Sequence, residues 1–130
     1  MKRFTLRAVV AISCVGVALP LLAADSPRDA VAEFTASARS AYDICRGHAI
    51  ASARHQRECI AREQDPVRLK FEAAQRATAK NKALLGMLRD FYAFWRATFV
   101  DLPARGDETR LLYDKRTGDA NAAINEKATR

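Results

Sequence analysis

The chain has 130 residues, 49% hydrophobic and 28% charged, with 22 Lys/Arg, 15 Asp/Glu and three cysteines. That length supports one domain with a modest core. Its five glycines form no phosphate-cradling loop, no stretch alternates as a half-buried strand does, and no oxyanion-stabilising loop accompanies a nucleophile, so an enzyme is not expected.

Residues 1–24 read as a secretory signal. Lys2, Arg3 and Arg7 precede an apolar run from Ala8 to Leu19, and Pro20 leads to the small residues Ala23 and Ala24. The expected organisation is a signal peptide over 1–24 and a single helical domain over 25–130. Cleavage near Ala24 gives a periplasmic or secreted protein; an uncleaved inner-membrane anchor is the alternative. Cleavage removes three of the 22 basic residues and none of the 15 acidic ones, so the net charge falls from +7 to +4. Export removes nucleic acid from the expected partners despite the basic pI.

The first helix is predicted over 27–63. Ser26 is its N-cap, Pro27 occupies the first turn, and Asp29 completes a capping box. Val31, Phe34, Ala38, Ala41, Cys45, His48, Ser52, His55 and Cys59 follow a heptad period along it. Cys45 and Cys59 are the two cysteines beyond the signal, and His48 and His55 are the only histidines. On a straight helix fourteen residues span ~21 Å, too far for a disulfide, which needs Cα atoms about 4.4–6.8 Å apart. An intrachain bond therefore requires the helix to break, and Gly47 is where it would yield. A bond to a second chain, making a homodimer, and free or metal-binding thiols are the other readings. Cys45, His48, His55 and Cys59 form a Cys-x2-His and His-x3-Cys set suited to zinc or copper.

Asp65 and Pro66 read as the cap and first turn of a second helix, over 66–102. Val67, Phe71, Ala74, Thr78, Asn81, Leu85, Leu88, Tyr92, Trp95, Phe99 and Leu102 form its seam. An antiparallel hairpin reversing near Asp65 then pairs Cys45 with Leu85, Ala38 with Tyr92 and Phe34 with Trp95. His48, Ser52, Thr78 and Asn81 meet in it as a polar layer that fixes register. Phe91, Tyr92, Phe94, Trp95 and Phe99 cover more helix surface than one partner can bury. A third helix over 108–128 is the expected cover, through Leu111, Leu112, Tyr113 and Ile124.

The expected fold is therefore all-α: a long antiparallel helical hairpin with a shorter C-terminal helix. From Arg46 to Arg89 ten Lys/Arg face four acidic residues, and Arg54, Arg57, Arg62, Arg68, Lys70 and Arg76 are the candidate contact surface. Its partner would be an anionic protein, a lipid headgroup or a cell-wall polymer. The expected function is an exported binding or accessory protein with no cofactor and no chemistry of its own. A zinc or copper protein and a disulfide-linked assembly or chaperone-like dimer are the alternatives.

Overall fold

The computed structural model describes residues 26–102 and 107–130, with side chains of the second stretch from Leu111 onward; residues 1–25, which include the expected signal, and residues 103–106 lie outside the described residues. The protein is all-α, with no strand among the described residues. Helix α1 spans Pro27–Gly47 and passes through a short 3-10 turn, His48–Ile50, into α2, Ala53–Ala77. Helix α3 spans Lys82–Val100 and α4 spans Asp107–Thr129.

The helix starts follow local chemistry. Ser26 Oγ accepts from the Asp29 amide at 3.2 Å, and Pro27 lies in the first turn of α1. Ser52 is extended, with φ −175° and ψ 158°, and its Oγ accepts from the His55 amide at 3.1 Å to open α2. Asn81 Oδ1 accepts from the Leu84 amide at 3.1 Å and opens α3.

Two of the three expected helices are corrected. The 27–63 segment breaks after Gly47, and the 66–102 segment breaks between Thr78 and Asn81. No break occurs at Asp65–Pro66, because Pro66 lies inside α2. A mid-helix proline forfeits one backbone bond and strains the turn before it. Here the packing on either side outweighs that loss: Cys59 and Ile60 before Pro66, and Val67 and Phe71 after it, are all buried. The expected 108–128 helix corresponds to α4.

Side-chain pairs give the topology, since antiparallel neighbours pair residues whose numbers have a constant sum and parallel ones a constant difference. Between α1 and α2 the pairs Cys45–Cys59, Phe34–Phe71 and Glu33–Lys70 sum to 103–105, so these helices reverse about Ser52. Phe71 stacks on Tyr92 across the next reversal, and Phe94 meets Tyr113 across the one after it. Tyr42 stacks on Tyr113 at 3.6 Å, which closes α1 against α4. Four helices of alternating direction thus form a ring of antiparallel neighbours, an up-down-up-down bundle.

The expected antiparallel pairing of Phe34 with Trp95 and Ala38 with Tyr92 is corrected accordingly. Helices α1 and α3 run parallel across the bundle with a constant offset of 57. Phe34 meets the edge of Phe91, and Trp95 Nε1 donates to the Ala38 carbonyl at 2.8 Å. Alanine at 38 leaves room for the indole to reach backbone. Buried Ala30, Ala38 and Ala41 on α1 face a core filled from α3 by Leu84, Leu88, Phe91, Trp95 and Phe99, and this small-against-large interlock fills space without strain.

The position of Pro66 provides a direct check. In mid-helix, Pro66→Ala restores a backbone bond and should raise stability by about 1–2 kcal/mol in thermal or denaturant unfolding. A proline at a helix start would give no gain.

Candidate functional site

The stretch from Cys45 to Cys59 is a disulfide-closed tip. The sulfurs are bonded at 2.04 Å with Cα atoms 5.4 Å apart across a separation of 14 residues, and both cysteines are buried. The α1–α3 offset sets Cys45 level with Leu102, just beyond the end of α3. Six residues of α2, from Ala53 to Glu58, therefore rise ~9 Å past that level. Of residues 46–58 only Gln56 is buried. Gly47 keeps ordinary right-handed helix dihedrals, φ −60° and ψ −31°, and a methyl there would meet nothing within 4 Å. The helix ends at Gly47 as expected of an intrachain bond, but the sharp change of direction is made by the extended backbone of Ser52.

The apex carries Ile50, which is 93% exposed. Arg46 stands in the last turn of α1, where the helix dipole favours a cation. Arg54 pairs with Glu58 at 2.8 Å, Arg57 is exposed with no ion pair among the described residues, and Ser52 Oγ lies 2.6 Å from His55 Nδ1. Sequence reasoning missed Ile50 and Arg46. The available signal was phase: Ile50 is a large apolar residue that falls off the heptad stripe, two after His48.

Farther along α2 the basic surface is largely neutralised. Arg62 pairs with Glu63 at 3.0 Å and Lys70 with Glu33 at 2.5 Å. Arg68 pairs with Glu72 at 2.6 Å and Asp65 at 3.3 Å. The Glu72 carboxylate, and after it Asp65, raises the Arg68 guanidinium above its ordinary pKa. These pairs are solvated and each contributes little to stability, but they leave the middle of α2 without excess positive charge. Arg76 makes no ion pair among the described residues and sits at the far end of α2 from Arg57, so the six candidates do not converge.

The other candidate sets are dispersed as well. The disulfide takes both sulfurs out of a metal donor set, and no group of three or more potential ligands gathers among the described residues. His48 and Ser52 lie at one end of the bundle, Thr78 and Asn81 at the other. The predicted polar layer is two chain reversals: Ser52 and Asn81 cap helices, and Thr78 donates to the Ala74 carbonyl at 2.8 Å. The aromatic cluster is shared out around α3. Tyr92 stacks on Phe71 at 4.0 Å, Trp95 packs on Phe99 at 4.6 Å, and Phe94 holds the Arg116 guanidinium at 4.5 Å.

Helix α4 covers that cluster with Tyr113 and Ile124, while Leu111 and Leu112 stay exposed. Tyr113 Oη, Thr117 Oγ1 and Asn121 Oδ1 are buried without a hydrogen-bond partner, at successive i,i+4 positions of the helix. Burial pushes the Tyr113 phenol well above its usual pKa. The nearby Thr117 hydroxyl opposes the rise, although the two fall short of hydrogen-bond geometry. Between α3 and α4 a cavity of about 260 Å³ is left, lined by Met87, Asp90, Phe91, Phe94, Arg116, Ala120 and Ile124.

Two outcomes follow from this geometry. Oxidised protein should weigh two hydrogens less than the reduced chain and refuse alkylation, and reduction or a Cys45→Ala/Cys59→Ala variant should lose about 3 kcal/mol. Tyr113→Phe removes an unsatisfied buried hydroxyl, so stability should hold or rise by up to about 1 kcal/mol at neutral pH. The folded phenol keeps its proton while the unfolded one titrates near 10. Parent stability is therefore intact below about pH 10 and falls as pH rises beyond it, and Tyr113→Phe should soften that fall in pH-dependent melts. Compared with family models, with curated proteins and with solved structures, the chain matches none.

Proposed function

We propose that this chain is an exported binding protein, without chemistry of its own, that docks on an anionic partner through the tip between Cys45 and Cys59. The observation that carries the reading is the combination at that tip. A covalently closed loop rises past the end of α3, keeps nearly all its side chains in solvent, and holds Arg46, Arg54 and Arg57 against one carboxylate, Glu58. Exposed residues on a rigid support are the usual carriers of recognition, and closing the loop beforehand lowers the ordering entropy of binding. The paired side chains of mid-α2 are a poorer contact surface, because a partner would have to displace Glu63, Asp65, Glu72 and Glu33. A buried disulfide accords with the export signal in residues 1–24, since such bonds persist in oxidising compartments.

The test is retention on a polyanionic matrix as salt increases from about 0.05 to 0.5 M, over which the screening length shortens to a few ångströms. The protein should bind at the low end and elute before the high end. Arg46→Glu with Arg57→Glu should abolish retention without changing the melting temperature appreciably. Retention that ignores salt, or that survives the double reversal, would overturn the reading.

A further inference from the structure

Resting on that docking reading, we infer that the partner is the surface of an anionic lipid bilayer, entered by Ile50 while Arg46, Arg54 and Arg57 meet the headgroup phosphates. The arrangement is layered along the tip. Ile50 is the apex and is 93% exposed; the three arginines stand on the two helices below it. Ile44, on α1 below the tip, is 47% exposed. An apolar point with cations set back behind it matches the order of a bilayer interface, acyl chains below phosphates.

Shape separates a bilayer from an acidic protein. Two helices side by side, each ~10 Å across, end in a convex face of roughly 10 × 20 Å, or ~200 Å². A stable protein interface takes ~800 Å² from each partner, so the tip alone is too small and its curvature is wrong for a flat patch. A bilayer yields around a convex point and needs no complementary surface. No helix among the described residues is long and apolar enough to cross a membrane, so the contact is interfacial.

The experiment is co-sedimentation of the oxidised, full mature chain with vesicles of phosphatidylcholine containing phosphatidylglycerol, with pure phosphatidylcholine vesicles as control. Binding should require phosphatidylglycerol. Ile50→Asn should weaken it tenfold or more, because the apolar apex no longer enters, while retention on the polyanionic matrix, which depends on charge, stays unchanged. Arg57→Ala should cost roughly fivefold, the value of one cation near such a surface. Ile50→Trp should retain binding and add a blue-shifted emission on vesicles beyond that of buried Trp95. Because position 50 is exposed, unchanged helicity and melting temperature verify that the variants are folded. If Ile50→Asn binds vesicles as the parent does, or Ile50→Trp emission does not shift, the bilayer inference is overturned and anionic docking stands. If the parent binds neither vesicles nor matrix, the docking reading fails with it.

Discussion

The Cys45–Cys59 bond ties the end of α1 to the second turn of α2 and brings their Cα atoms to 5.4 Å. Helices crossing that closely must reverse within a few residues, so the turn falls at 48–52 and the rest of the chain is divided accordingly. The bond also acts on the unfolded chain, where closing a loop of this size removes entropy worth about 3 kcal/mol. Both cysteines are buried members of the one hydrophobic cluster, so the closure belongs to the core and does not sit outside it. Beyond the bond the chain leaves the core, with only Gln56 buried, and sets Arg46, Arg54, Arg57 and Ile50 toward solvent. One covalent link therefore separates the part of the hairpin that holds the bundle together from the part left free to touch something else.

Inside the bundle the division of labour follows side-chain size. Where α1 faces α3 it sets Ala30, Ala38 and Ala41 against the large residues of α3, and Trp95 donates its N–H to the Ala38 carbonyl of α1. A buried indole needs such a partner, and only a small residue on the facing helix lets it reach one. Helix α4 fits less well. It turns Tyr113, Thr117 and Asn121 inward without satisfying their oxygens and leaves Leu111 and Leu112 outward. Each buried, unbonded hydroxyl subtracts from the gain of burying the helix. The stacked Tyr42–Tyr113 pair and buried Ile124 are what hold α4 in place.

Electrostatics divide along α2 in the same way. Below the disulfide Arg62, Arg68 and Lys70 are locked to acidic neighbours on their own helix or on α1, and only Arg76, at the far end, is not; above it one carboxylate serves three arginines. A net count of charge over the whole stretch treats these regions as equal. What a partner meets depends on how many cations are still uncompensated where the surface is reachable, and at the tip three arginines stand against one carboxylate.

The helical class, the cap at Ser26, the last helix and most of the buried apolar stripe were legible in the residues, because 3.6-residue periodicity and capping chemistry are local. The turns were not. The stripe runs through Ser52 and again through Thr78 and Asn81 without losing its seven-residue count, so two reversals looked like polar positions in a continuous seam. Conversely Asp65–Pro66 has the local form of a helix start, and it is overruled by buried Cys59, Ile60, Val67 and Phe71 on either side. The residues by themselves determined that an intrachain Cys45–Cys59 bond and an unbroken first helix exclude one another, since that follows from helix rise alone. Only the tertiary structure decided which of the two gives way. The choice turns on whether α1 and α2 pack better as antiparallel neighbours than as one rod, and that energy lies in contacts between residues far apart in the chain.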